Sequence, residues 1–161
     1  MRWAAHRSSL RAAPRAARQV LLPEVAAYHV TCRGVARQSI YVDDVDRRRF
    51  TSLLGLASRR WRWQLLAYCL MENHFHLVVT CDREQLSRGM HLLNFLYAQH
   101  FNARHDRVGH LFQGRFDARV VDTDEYFVAA CAYVLANAER AGIPDWPWRG
   151  GELLAEVCAT R

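Results

Sequence analysis

The sequence predicts an α+β fold in which an antiparallel sheet carries helices mainly on one face. The periodic segments run in the order strand, helix, strand, strand, helix, strand, helix, which is the split β-α-β, ferredoxin-like arrangement. The chain has 161 residues, 51% of them hydrophobic, which suffices for one domain with a sizeable core. Since no internal repeat or linker interrupts the pattern, we assign residues 21–145 to one domain, 1–20 to a basic extension expected to be disordered, and 146–161 to a tail.

Alternation of apolar and polar residues predicts the strands, because successive side chains of a strand face opposite ways. In the first strand, Tyr28, Val30 and Cys32 fall on one face. The later strand segments are rich in aromatic and β-branched residues and end at turn residues. The predicted strands cover residues 25–32, 61–70, 74–79 and 116–121.

Three segments have apolar residues at helical spacing and begin near acidic residues. The first helix starts at Asp43 or Asp44 and runs to about residue 58. The second covers about residues 84–102, with one apolar stripe along it. The third starts at Asp122, with Glu125 as its capping-box partner, and is stopped near residue 141 by a glycine and a proline.

The charge of the chain favours an anionic partner. The net charge is +6, and all 22 basic residues other than histidine are arginine, whose planar fork suits phosphate. No apolar run reaches the ~20 residues of a membrane span, so no membrane partner is expected. A basic loop, RHDRVGHLFQGR, offers charge together with Phe112, and Phe116 follows it as a second stacking ring. The alternative for this loop is an ordinary solvated turn. The residues expected to contact nucleic acid are Arg33, Arg37, Arg104, Arg107, His110, Gln113, Arg115 and Arg119.

The cysteines indicate a reducing compartment. Their number is odd, they are scattered, and no pair has the CxxC spacing. We therefore expect free thiols in a cytoplasmic protein. Cys69 and Cys81 lie near two histidines in sequence, so a structural zinc site is a further hypothesis, although the spacing fits no common zinc module.

Two histidines stand two residues apart in a segment otherwise built for a core, MENHFHLVVT. In a strand, His74 and His76 share a face, ~6.6–7 Å apart along the backbone. On the third helix, Tyr133 and Asn137 share a face through their i, i+4 spacing. Brought together, the two imidazoles and the amide would bind one metal ion and leave positions open for phosphate oxygens.

This constellation predicts phosphodiester chemistry. A tyrosine hydroxyl, with a pKa near 10, is a poor nucleophile without help, and a divalent ion stabilises the charge of an in-line displacement. Hard phosphate ligands favour Mg²⁺ or Mn²⁺. Tyr126 is a rival nucleophile on the same helix, although its i+4 partner is Ala130, which cannot bind a metal. Ordinary core roles for the histidine pair and for Tyr133 remain the alternative.

The histidine motif MENHFHLVV resembles the HUH motif of the single-strand tyrosine transposases of bacterial insertion sequences. With YHVTCRGVARQSIYVDDVDRRRF, VGHLFQGRF and YVLANAERAG, the chain resembles the REP-associated tyrosine transposases, in the same motif order over about residues 18–142. The resemblance implies that Tyr133 is catalytic and that the metal ligands are His74, His76 and Asn137, which agrees with the spacing argument. The chain departs from the family pattern at Glu72 and Ala138, where proline is usual.

The resemblance implies a metal-dependent DNA transposase, an endonuclease and ligase of single-stranded DNA. It would nick and transfer strands through a 5′-phosphotyrosine intermediate at palindromic hairpin DNA, as a monomer or homodimer. It would act in the bacterial cytoplasm, on the nucleoid when bound to DNA. Because of the two departures, the alternative is a catalytically inactive protein of the same fold that binds hairpin DNA or RNA.

Overall fold

A five-stranded antiparallel sheet forms the centre of the protein in a computed structural model that describes residues 25–142 and 147–150. The strand order is β4-β1-β3-β2-β5. The predicted extension 1–20 and most of the predicted tail lie outside the described residues. The strands are β1 (Val25–Arg33), β2 (Gln64–Leu70), β3 (His74–Asp82), β4 (Asp117–Val121) and β5 (Arg149–Gly150).

The helices lie on both faces of the sheet. The two long helices pack together on one face, and the third helix covers the other, which confirms the predicted α+β class. No helix of residues 25–142 or 147–150 is both long and apolar enough to span a bilayer. The helices are α1 (Asp44–Arg60), α2 (Arg83–Arg104), α3 (Asp124–Leu135) and the single turn α4 (Asn137–Arg140), and a 3₁₀ turn covers Val35–Arg37.

The alternation of β1 and β3 divides the interior into two apolar layers. One side of each strand packs with α1 and α2, as Tyr28 and Phe75 do. The opposite side of β3 packs with α3, where Val78 meets Cys131 and Val134. Full burial of one such aliphatic or aromatic side chain stabilises the fold by about 1.5–3 kcal/mol. The larger layer lies under α1 and α2, and the smaller one lies under α3.

The predicted strand at residues 61–70 begins later than expected. Trp61 caps α1, Arg62 adopts a left-handed backbone (φ 52), and the strand starts only at residue 64. Trp63 is buried and donates its indole N–H to the Gln85 carbonyl at 3.2 Å. A Cβ on Gly89 would lie 2.3 Å from the Trp63 ring, so this close helix–indole approach requires glycine. Tertiary contact of the indoles therefore overrides their strand propensity.

The third helix differs from the prediction at both ends. Its N-cap is Thr123, whose side chain accepts a hydrogen bond from the Tyr126 amide, and not Asp122. It also ends at Leu135 rather than near residue 141, and a separate turn follows. The Leu135 carbonyl accepts a hydrogen bond from Arg149 at 2.8 Å, so a partner from another segment binds the end of the helix.

Residues 147–150, which the sequence assigns to the tail, join the domain. β5 pairs with β2, with Arg149 opposite Cys69. The indole of Trp148 donates to Asp44 at 3.1 Å. β5 therefore forms the edge of the sheet next to the end of α3.

Candidate active site

The two histidines of β3 project from the sheet on the side that α3 covers. His74 and His76 alternate with Phe75 and Leu77, whose side chains are buried in the layer on the opposite side. The two imidazole rings lie edge to face, with their centroids 4.9 Å apart. The i, i+2 spacing thus brings both rings to one place, as expected for a strand.

The ring of His74 is oriented by the residue before it. Oδ1 of Asn73 lies 2.7 Å from Nδ1 of His74. Asn73 is itself held, because its Nδ2 donates a hydrogen bond to the carbonyl of Arg37 at 3.1 Å and its own carbonyl accepts from the Gly34 amide at 2.9 Å. An amide oxygen only accepts hydrogen bonds, so Nδ1 of His74 carries the proton and Nε2 presents a lone pair.

A third histidine, His29 on β1, contacts the second histidine of the motif. Its Nε2 lies 3.0 Å from Nδ1 of His76, and the two rings stack with centroids 5.3 Å apart. Nδ1 of His76, like that of His74, therefore has a protein partner. In both rings Nε2 is the atom available to a ligand.

All three imidazoles are kept in the neutral form. Burial lowers the pKa of His76 to about 3, with smaller contributions from the neighbouring histidines and Arg33. Burial, followed by the charge of Arg33, lowers the pKa of His74 to about 4. Burial, followed by the charge of Arg119, lowers the pKa of His29 to about 4. Neutral imidazole is the form that binds a metal ion, so the site needs no deprotonation near neutral pH.

Tyr133 of α3 meets the histidines across this face of the sheet. Its ring stands edge-on to His76 and His29, with centroid distances of 5.8 and 5.9 Å. The side chain is 39% exposed, so it is open to a substrate. Tyr126, the rival on sequence grounds, is half-buried against the apolar layer beneath α3. Of the two tyrosines, Tyr133 is the one whose ring contacts the imidazoles.

Two side chains that follow Tyr133 along the chain surround it. Nδ2 of Asn137 donates a hydrogen bond to the Tyr133 carbonyl at 3.0 Å, which leaves Oδ1 as the amide atom able to bind a cation. The guanidinium of Arg140 lies over the Tyr133 ring, with Cζ 4.9 Å from the centroid. A positive charge therefore stands beside the tyrosine.

The donor set fits a divalent cation that keeps open coordination positions. Two neutral imidazoles offer Nε2, and the Asn137 amide offers oxygen. Within residues 25–142 and 147–150, no three His, Cys, Asp or Glu side chains come together as a metal site. Cys69 and Cys81 lie in different apolar layers on opposite sides of the sheet, which argues against the zinc site considered from the sequence.

Glu72 and Ala138, the two residues that depart from the family pattern, lie in different surroundings. Oε1 of Glu72 accepts a hydrogen bond from the Ser39 hydroxyl at 3.1 Å, so its carboxylate is tied to the loop after β1. Ala138 is fully buried in the apolar layer beneath α3.

Arg104 has a role different from the predicted contact with DNA. Its Nη1 lies 2.8 Å from Asp43 and 2.7 Å from Asp46, and its Nη2 lies 2.7 Å from Asp43. Asp46 is 0% exposed and also accepts a bond from His105 at 2.9 Å. Bonding to Arg104 lowers the pKa of Asp43 to about 2. The structure therefore assigns Arg104 to the junction of α1 and α2, because its charge is already neutralised there.

The predicted stacking rings belong to the core. Phe112 lies edge-on to Phe75, with centroids 6.1 Å apart, and 6.4 Å from the Tyr97 ring. Phe116 is half-buried against the same apolar layer. These two phenylalanines thus anchor the basic loop against the apolar layer under α1 and α2.

The other residues predicted to contact nucleic acid differ in their exposure and in their contacts within the protein. Nη2 of Arg107 donates to Gln38 at 2.9 Å, and its guanidinium lies over the Phe101 ring. Arg33 is exposed and pairs in register with His74, and Arg119 is exposed and pairs with His29. Cross-strand partners share a face, so both arginines flank the histidines. The exposed remainder of the set is Arg37, His110, Gln113 and Arg115.

Sequence reasoning missed His29 and Asn73. The signal for His29 was present, because the alternation that puts Tyr28 and Val30 in the core puts His29 on the opposite face, with the histidine pair. The inference also requires the pairing of β1 with β3, which the structure shows. For Asn73, the adjacent position in the motif was the only signal.

The chain and its fold match one family of known proteins. The model of the family described as IS200-like transposases matches residues 24–137. No curated protein matches the chain. A solved REP-associated tyrosine transposase bound to a REP hairpin superposes with a TM-score of 0.66 at 13% identity, covering 85% of this chain and 81% of that chain. A putative transposase from Deinococcus radiodurans R1 superposes with a TM-score of 0.51 at 14% identity, covering 70% of this chain and 91% of that one. The family match spans well over half of the chain, which confirms the resemblance seen in the sequence: the protein belongs to the IS200-like transposase family.

Proposed function

We propose that the protein cleaves and rejoins single-stranded DNA, with Tyr133 as the nucleophile and a divalent cation held by His74, His76 and Asn137. The observation that carries this proposal is the contact of the Tyr133 ring with His76, whose own ring lies 4.9 Å from that of His74. Tyr133 and the two histidines thus lie together on the α3 side of the sheet, where the nucleophile and the candidate ligands can reach the same phosphodiester.

The covalent step conserves the phosphodiester energy. The Tyr133 oxygen forms a bond to phosphorus, and the bond from phosphorus to the 3′ oxygen of the preceding nucleotide breaks. The phenolic proton is transferred, in net terms, to that leaving oxygen, which becomes a free 3′-OH. Attack of a 3′-OH on the 5′-phosphotyrosine ester reverses the step, so that strands can be exchanged without a nucleotide cofactor.

The side chains of this protein supply distinct parts of the site. A cation bound there, Mg²⁺ or Mn²⁺, would supply Lewis-acid stabilisation of the phosphoryl charge. Arg140 and Arg33 are exposed beside Tyr133 and His74, and their guanidinium groups suit the oxygens of a phosphate. The neutral state of the histidines supports metal binding in preference to direct contact with the anion by imidazolium.

Hairpin DNA is the proposed substrate. A transposase with this fold has been solved bound to a REP hairpin, which supports a folded single strand as the partner of this chain as well. The net charge of +6 and the exposed arginines beside the histidines favour a polyanion. Either one or two protein chains bind one hairpin, and the experiment below also measures this number.

The proposal is tested by incubating the full-length protein with end-labelled hairpin oligonucleotides that carry single-stranded flanks. A protein–DNA adduct that survives SDS, forms with Mn²⁺ and is absent with EDTA is the expected result. Mass analysis of the native complex gives the number of chains bound. Tight hairpin binding without any adduct in Mn²⁺ or Mg²⁺ would overturn the enzymatic proposal and identify a hairpin-binding protein that retains only the fold.

A further inference from the structure

We infer that His29 is a positioning residue that fixes the tautomer and the orientation of His76, so that Nε2 of His76 faces the cation. The inference rests on the proposed metal centre and concerns a residue that contacts the metal ligand rather than the metal. It starts from the 3.0 Å contact between Nε2 of His29 and Nδ1 of His76.

A hydrogen bond between two neutral imidazoles has only two arrangements. Either Nδ1 of His76 donates to Nε2 of His29, or Nε2 of His29 donates to Nδ1 of His76. In the first arrangement Nε2 of His76 carries a lone pair and can bind a cation. In the second, Nε2 of His76 carries the proton and cannot. Metal binding therefore requires His29 to be the acceptor, with its own proton on Nδ1.

The surroundings of His29 favour such a dedicated role. The residue lies on a central strand, and its register partners are Val78 on one side and Arg119 on the other. A polar ring at a half-buried position beside an apolar layer is unfavourable unless its nitrogen has a partner, and His76 supplies that partner. A phenylalanine would fill the same space without the hydrogen bond.

The rings of the two candidate ligands, His74 and His76, each have a hydrogen-bond partner at Nδ1. Asn73 accepts from Nδ1 of His74, and His29 is placed to accept from Nδ1 of His76. Both ligands would then offer Nε2 from the same face of β3. The His29 ring also stands edge-on to Tyr133, with centroids 5.9 Å apart, so it contacts both the candidate ligand His76 and the nucleophile.

Two substitutions separate the hydrogen bond from the shape of the ring. His29→Phe keeps a planar ring and removes the acceptor. His29→Gln places Oε1 three bonds from Cβ, as Nε2 of histidine is, and so restores an acceptor. His91→Phe is the matched control, because His91 is an exposed histidine on α2, on the opposite side of the sheet.

The first readout is the tautomer of His76 in metal-free, ¹⁵N-histidine-labelled protein, from long-range ¹H–¹⁵N correlations. The wild type and His29→Gln should show the proton of His76 on Nδ1, and His29→Phe should show it shifting to Nε2. The second readout is Mn²⁺ affinity by calorimetry. His29→Phe should lose about 10–100-fold, as is usual for outer partners of metal ligands, with His29→Gln and His91→Phe close to wild type.

An unchanged tautomer and unchanged Mn²⁺ affinity in a folded His29→Phe protein would overturn the inference, as would a wild-type His76 with its proton on Nε2. Circular dichroism establishes that the variant is folded, and His29→Gln, which keeps an acceptor, shows whether replacing the residue by itself changes the tautomer or the Mn²⁺ affinity. A wild type that binds no Mn²⁺ would overturn the proposed metal centre instead. The tautomer measurement then still decides whether His29 fixes the ring of His76.

Discussion

The ring of Tyr133 stands edge-on to the imidazole of His76, at an interplanar angle of 84° and a centroid distance of 5.8 Å. Tyr133→Phe removes only the hydroxyl and keeps the ring that makes this contact. We expect it to abolish the covalent adduct while the hairpin Kd stays within about threefold, a change under ~1 kcal/mol. Adduct formation on denaturing gels and fluorescence anisotropy measure the two quantities.

Tyr126→Phe is the matched control for that prediction. Tyr126 lies on the same helix but packs against the apolar layer, so loss of its hydroxyl should leave cleavage near the wild-type rate. An adduct that persists in Tyr133→Phe and disappears in Tyr126→Phe would reverse the assignment of the nucleophile.

Loss of either histidine of the motif should stop cleavage through loss of the cation. His74→Ala or His76→Ala removes a neutral imidazole from the donor set, and the decrease in Mn²⁺ affinity should exceed the about 10–100-fold expected for an outer partner. Excess Mn²⁺ should recover part of the activity. Full activity of either variant in the presence of EDTA would contradict a metal-assisted reaction.

The stability of the metal-free protein should fall as the pH decreases from about 6.5 to 4. The pKa values of His29 and His76 are lowered to about 4 and 3, so the unfolded chain binds more protons than the folded one in this range. The stability that these two neutral histidines contribute is fully present above their pKa in the unfolded chain, and it is lost as the pH falls. Each buried histidine contributes at most ~1.4 kcal/mol per pH unit to the slope.

Urea unfolding at several pH values in EDTA measures this slope. His76→Leu should make it shallower, because one buried imidazole no longer has to stay neutral. His91→Leu is the matched control, since it makes the same kind of substitution at an exposed position outside the site. A slope in His76→Leu equal to that of the wild type would show that this histidine does not control acid stability.

Two arginines near the basic loop should behave in opposite ways. Arg115 is exposed, so Arg115→Gln should reduce the salt dependence of hairpin binding by about 0.7 in the slope of log K against log salt. Arg104→Gln should leave that slope unchanged and lower the thermal midpoint, because Arg104 neutralises Asp43 and the fully buried Asp46. Binding titrations between 50 and 300 mM salt would separate the two, and a lower slope in Arg104→Gln would restore it as a DNA contact.

Local periodicity by itself determined much of the candidate site. The two-residue repeat of a strand puts His74 and His76 on one face. The helical repeat pairs Tyr133 with Asn137, whereas it pairs Tyr126 only with Ala130. These relationships depend on a few neighbouring residues. The order of the elements also predicted the α+β class, because it limits how strands and helices can be layered.

Only the tertiary structure decided which side chains from distant segments meet. Arg104 and Asp43 are 61 residues apart, and His29 and His76 are 47 apart, so no local repeat relates either pair. The first contact turns an expected DNA ligand into a structural ion pair, and the second adds a partner to a candidate metal ligand. Likewise, the carbonyl at the end of α3 accepts a hydrogen bond from Arg149 of the edge strand, 14 residues away. Such pairings follow from the strand order and the burial of each face, which arise only when the whole chain has folded.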